Sequence, residues 1–338
     1  MDPFAVQHLS DPPPPATPPT LGKGVVLDVA SPRLLDDLAL AAELGCGQVR
    51  LDVPWRAAQP RAATFDGDVF EHLHIAASTA RGLGVAPWFR LLQPTVPLWF
   101  DNEGGFGDAR NAAAWWPRWV ELVADRLGDL AGGWVPFEAP YAMSLRLQPD
   151  DADGNGARKH GELMHHLVVA WRDAWRILRG AVPVATSLDV APEPPRGDDP
   201  RELAEARRRD QLRWGLWLGG LRDGVVRIPG RAEMELADLE GACDVVGLAM
   251  RTDIEAGLYR VADQGPDRPL SLTYRPVGDT DTQRAQHTQA MWHEVRRAAA
   301  EVGLRSVTIT PFADSPAGRG IVTTNRDVND TGHAFADG

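Results

Sequence analysis

Short β-branched, apolar runs alternate with longer amphipathic stretches along almost the whole chain, and this alternation constrains the fold more than any other feature. Strands are predicted at Gly24–Val29, Gln48–Val53, Gly84–Leu92, Trp134–Phe137, Val182–Val190, Asp244–Ala249, Pro269–Tyr274 and Ser306–Thr310. Apolar residues at helical spacing predict helices over Pro32–Leu44, Asp68–Arg81, Ala112–Leu127, Leu163–Leu178, Pro200–Leu218 and Thr282–Val302. The sixth and seventh strands are separated by only a short connection. Ser31-Pro32 is a good cap and first-turn pair, and Gly45 stops the first helix. Eight strands with helices between them, over 338 residues, favour an α/β fold of one closed parallel (β/α)8 TIM barrel rather than an open doubly wound sheet. No glycine-rich phosphate loop follows the first strand, which argues against a dinucleotide-binding fold.

Residues 21–330 are assigned to the barrel and residues 331–338 to a C-terminal tail. Residues 1–20 form a Pro-rich leader, because the proline run within Asp11–Thr20 cannot continue a helix or sit inside a sheet. That leader lacks the basic start and apolar core of a secretion signal, and no later segment has the apolar length of a membrane span. A net charge of -12 opposes binding to nucleic acid or to anionic membranes, which require a basic surface. Cys46 and Cys243 lie on distant apolar stretches and read as reduced, buried thiols of a cytoplasmic protein. The histidines do not have metal-ligand spacing: His165-His166 are adjacent on a helix, and His72 and His74 have no neighbouring ligands. Neither a metal nor a cofactor is expected. Trp115, Trp116 and Trp119, and the pair Trp171 and Trp175, read as core packing, whereas Trp55, Trp88 and Trp99 are placed nearer the barrel mouth.

Several segments, in order, resemble the family 1 glycoside hydrolases. Val49-Arg50-Leu51-Asp52-Val53-Pro54-Trp55, then Pro60, is similar to that family's YRFSxSWxRxxP. Gly84-Val85-Ala86-Pro87 with Pro97-Leu98-Trp99-Phe100 is similar to GIxPxVTLxHWDxPxWL, and Gly104-Gly105-Phe106 to the GGW after it. Trp134-Val135-Pro136-Phe137-Glu138-Ala139-Pro140 overlays WxTxNEP, and His165-His166-Leu167 with Ala170 the HHxLxAH helix. Asp244-Val245-Val246-Gly247-Leu248 begins like DFxGxNYY, and Leu272-Thr273-Tyr274-Arg275-Pro276 stands where ITENG would. The resemblance spans about Asp36 to Asp314 and implies the same barrel.

It does not imply the same chemistry. Retaining glycosidases use two carboxyl groups about 5–5.5 Å apart, one as nucleophile and one as acid/base. In this alignment the acid position falls on Ala139 and the nucleophile position on Tyr274. Positions that contact sugar in the family also differ: Gln93 replaces a His, Pro94 a Trp, Ala249 an Asn and Arg251 a Tyr, and the Glu-Trp pair falls on about Ala317-Gly318. Loss of both sets implies a pocket rebuilt for another ligand.

Candidate catalytic residues are therefore Glu138, one position before the lost acid, and Tyr274. Candidate ligand-binding residues are Arg50, Asp52, Gln93, Asp189, Arg251 and Arg275, with Arg90 placed by strand alternation so that it points outward. Arginine forks match carboxylates and phosphates, so the expected partner is a small molecule, anionic or glycosylated. The same arginines equally suit a purely structural network with Asp52, Glu138 and Asp189. Three readings stay open: a repurposed non-hydrolytic enzyme or ligand binder, a glycosidase whose carboxylates are relocated (Glu138 with Tyr274 or Asp52), and an inactive scaffold that acts through its surface.

Overall fold

A computed structural model describes residues 21–93, 95–148, 156–195, 197–315 and 318–338; the Pro-rich leader expected over 1–20 lies outside the described residues. Among the described residues one sheet has eight parallel strands: β1 (Gly22–Leu27), β2 (Gln48–Asp52), β3 (Ala86–Leu92), β4 (Gly133–Phe137), β5 (Leu188–Asp189), β6 (Val246–Met250), β7 (Leu270–Tyr274) and β8 (Leu304–Ile309). Their order in the sheet is β4-β3-β2-β1-β8-β7-β6-β5. The ring closes between the two ends of that order, where Trp134 bridges Val184 in parallel and its N–H donates to the Pro183 carbonyl at 2.9 Å. This is the (β/α)8 barrel that the alternation predicts.

Strand five is shorter than the run Val182–Val190 suggests, because a side chain replaces part of its ladder. Thr186 Oγ1 donates to the Gly247 carbonyl at 3.0 Å and accepts from the Gly247 N–H at 2.8 Å. The helical layer surrounds the sheet, and its core on one flank is aromatic. Trp55 stacks on Trp119 at 5.4 Å, while Trp116, Phe137, Trp171 and Trp217 continue the contact. Trp55 is thus core rather than mouth. Trp99 packs at its edge, 6.5 Å away.

Two further elements differ from expectation. The connection between β6 and β7 holds an eleven-residue helix, Ile254–Gln264, which buries Ile254, Leu258 and Val261 against the barrel. The residues assigned to a tail form the helix Asp330–Ala336 instead, capped by the Asn329 side chain accepting from the Gly332 N–H. Its Phe335 is 0% exposed and packs against Trp292 of the helix Asp281–Val302. That burial, rather than local propensity, stabilises so short a helix. Cys46 and Cys243 are both buried and free, and burial pushes each thiol up to about 12. Among the described residues no helix is long and apolar enough to cross a membrane.

Candidate functional site at the carboxyl ends of the strands

In barrels of this kind active sites lie where the strands end, and there the chain gathers a charged network. Asp52, the last residue of β2, is in register with Arg90 of β3, so both project from the same face. Arg90 lies inward, contrary to the outward placement expected from alternation, with Phe89 and Leu91 on the buried outer face at 0% exposure. Its Nε and Nη2 donate to the two Asp52 oxygens at 2.5 and 2.6 Å, a bidentate pair. Its Nη1 donates to Glu138 Oε2. Arg50 completes the group: Nη1 lies 3.9 Å from Glu138 Oε2 and donates to Thr273 Oγ1 at 3.1 Å. Burial, reinforced by the neighbouring Arg90, lowers the Arg50 pKa to about 10.

Glu138 is aimed by an unusual backbone. Ala139 after it has φ 50, a left-handed conformation that L residues adopt only under constraint. Its N–H is held by the Ser187 carbonyl at 2.7 Å, and the helix Pro140–Leu147 starts immediately afterwards. That helix begins without a cap of its own. Asp189, at the end of β5, supplies one from a distance, accepting from the Tyr141 and Ala142 N–H groups at 3.1 and 3.0 Å. Burial raises the Asp189 carboxyl to about 6, against the opposing pull of Arg213 and those N–H donors. Its placement is that of a helix cap joining β5 to the next turn.

The remaining expected residues divide. Arg251 and Arg275, just past the ends of β6 and β7, are exposed and have no ion-pair or side-chain hydrogen-bond partner among the described residues. Desolvation first, then the charges of Arg251, Arg90 and Arg146, lower the Arg275 pKa. Arg146, on the helix Pro140–Leu147, is a member of this cationic arc that the sequence reading missed. Gln93, directly after β3, is half-buried and makes no side-chain hydrogen bond among the described residues. Tyr274 requires correction: it is not in the mouth. It is 1% exposed between sheet and helices, and burial pushes its hydroxyl up to about 12.

The opposite side of the mouth is acidic. A groove of about 450 Å³ is lined by Asp28, Asp52, Arg90, Asp314 and Arg326, among others. Asp28 follows β1 directly and Asp314 follows β8, places where strand-end reasoning would have found them. Arg326 is occupied, donating to Asp37 Oδ2 at 2.8 Å. Among the described residues no group of three or more His, Cys, Asp or Glu is arranged to hold a metal ion. His166 is engaged with the Phe106 carbonyl at 2.9 Å.

No protein-family model and no curated protein sequence matches the chain. Solved structures do. A family 1 β-glucosidase from Thermotoga maritima superposes with a TM-score of 0.79 at 15% identity, covering 95% of this chain and 97% of that one. The GH1 β-glucosidase from Exiguobacterium antarcticum B7 gives 0.78 at 14% identity, with 94% and 96% covered. A β-glycosidase from Pyrococcus horikoshii gives 0.76 at 18%, with 89% and 82% covered. At these identities the likeness is one of fold: the chain is built on the barrel of the family 1 β-glucosidases.

Proposed function

We propose that the mouth of this barrel binds a small anionic or strongly polar molecule, and that the protein does not hydrolyse glycosides through the two-carboxylate route. The observation that carries this reading is the division of charges at the strand ends. Glu138 and Asp52 are both held by Arg90, whereas Arg146, Arg251 and Arg275 stand around the mouth without partners among the described residues. A carboxylate committed to a guanidinium is poorly placed to carry a proton to a leaving group, and a retaining mechanism needs a second, free carboxylate beside it. Unpaired guanidinium forks, in contrast, are pre-formed receptors for carboxylate or phosphate. A ligand with its anionic group at Arg251 and Arg275 would set hydroxyl or amine groups toward Asp28 and Asp314. The protein then acts as a ligand binder or a non-hydrolytic enzyme of the cytoplasm. Glycoside hydrolysis by Glu138 with Asp52, and a scaffold with no ligand at all, are the competing outcomes.

Thermal melting with citrate and with inorganic phosphate tests the reading. A ligand that binds only the folded state raises Tm in proportion to the logarithm of its saturation. Wild type is expected to respond to at least one anion, and Arg251→Gln and Arg275→Gln to need about 10-fold more of it. Failure of every anion to move the wild-type Tm overturns the proposal.

A further inference from the structure

The interior of a (β/α)8 barrel is ordinarily filled by layers of bulky, branched side chains. Here the inward positions nearest the strand beginnings include Ala185, Ser271 and Ser306, and they leave a cavity of about 270 Å³. That is only slightly below the ~300 Å³ at which ordinary ligand pockets begin. It lies inside the barrel at the end opposite the mouth: Gln48 and Ser306, near the starts of β2 and β8, line it, and the exposed Arg305 stands at its rim.

Charge and polarity in this cavity are one-sided. The charged residues lining it are Arg50 and Arg305, both cationic, while Trp88 and Val245 supply apolar wall. Arg50 is 6% exposed and directs Nη1 to Thr273 and Glu138 on the mouth side. Its Nε is fully enclosed with no hydrogen-bond partner, and Nη2 has none among the described residues. Buried polar groups are nearly always satisfied, so an unpartnered guanidinium edge on a residue that lines a cavity marks a place where something binds. The Nε–Nη2 edge of a guanidinium is a two-donor fork that fits a carboxylate.

We propose that the barrel interior is a second binding site, entered from the face where the strands begin, which takes a small carboxylate with an apolar body between the Arg50 fork and the Trp88 wall. Arg50 then separates two sites: Glu138 and the mouth on one side, this cavity on the other. The inference is independent of what the mouth binds.

Calorimetric titration with benzoate tests it, with inorganic phosphate as comparison. Wild type is expected to bind benzoate and to ignore phosphate in this cavity, whose walls suit an apolar body. Ser271→Val and Ser306→Ile, which fill the cavity from different walls, and Arg50→Met, which removes the fork, are each expected to weaken benzoate by at least ~10-fold. Cooperative melting of each variant establishes folding, and Ala185→Val fills the facing wall should Ser271→Val not fold. Arg251→Gln is expected to change benzoate affinity by less than about 2-fold, since its guanidinium is at the other end of the barrel. No benzoate binding by wild type at about 50 mM, where even a weak site would fill, overturns the proposal. So does binding that survives both filled-cavity variants or is lost in Arg251→Gln, which would place it in the mouth. Phosphate binding that is lost in the filled-cavity variants and kept in Arg251→Gln, with no benzoate binding, overturns the ligand class.

Discussion

Replacing Arg90 with methionine removes the group that, among the described residues, holds both Asp52 and Glu138. Arg90 makes a bidentate pair with Asp52 at 2.5 and 2.6 Å and a third bond to Glu138, and all three side chains are 17–20% exposed. Breaking a buried ion pair by deleting one partner destabilises by about 3–5 kcal/mol, because the charge left behind has lost its compensation. Partial exposure lets water screen that charge, so the low end applies, about 3 kcal/mol. At ~2.1 cal/mol/K of unfolding entropy per residue, that amounts to about 4 °C in Tm for a chain of this length. Urea unfolding and thermal melting at neutral pH read both quantities. The triple variant Arg90→Met with Asp52→Asn and Glu138→Gln removes the orphaned charges along with their partner, and is expected to recover at least half of the loss. An Arg90→Met protein within about 0.5 kcal/mol of wild type would refute the reasoning, since that is the range of an ordinary surface substitution.

Other perturbations test other parts of the account. Asp189 has its carboxyl raised from 3.8 to about 6, so its ionisation opposes folding: the stability it contributes is complete below about 3.8 and is lost as pH rises through about 6. Relative to Asp189→Asn, wild type should lose roughly 2–3 kcal/mol between pH 4 and pH 7 in urea unfolding, and a pH-independent difference would contradict this. Tyr274→Phe, which keeps the buried ring, should change stability by less than about 1 kcal/mol and leave anion binding at the mouth unchanged. A large change in ligand affinity would return Tyr274 to the site. Phe335→Ala should cost about 3–5 kcal/mol in unfolding experiments, since its ring is wholly buried against Trp292. A negligible effect would make the C-terminal helix the loose tail that the sequence suggested.

The barrel was legible because period-two and period-3.6 patterns survive in local sequence, and the family-like segments keep their order. What was misplaced turned on parity. In Leu270-Ser271-Leu272-Thr273-Tyr274 the apolar residues alternate with hydroxyl residues, which already sets Tyr274 on the outer face with Leu270 and Leu272. Matching the segment to a motif overrode that alternation by one residue. Phe89-Arg90-Leu91 carries the same information, with Arg90 as the inward member. The helix Ile254–Gln264 was also readable, from Ile254, Leu258 and Val261 at helical spacing. The helix Asp330–Ala336 was not, because its stability comes from Phe335 meeting a helix some forty residues away in sequence. Asp189 as a remote cap, and Arg146 in the cationic arc, depend on the approach of β5 to the turn after β4, which no local pattern encodes.

The central claim is that Glu138 and Asp52 are committed to Arg90 and that the site does not work as a retaining glycosidase. Turnover of a panel of nitrophenyl glycosides, with wild type beside Glu138→Gln, tests it most directly. The account predicts no turnover above buffer for any sugar with either protein. Turnover by wild type that disappears in Glu138→Gln would contradict it and make Glu138 a working acid on the family 1 barrel.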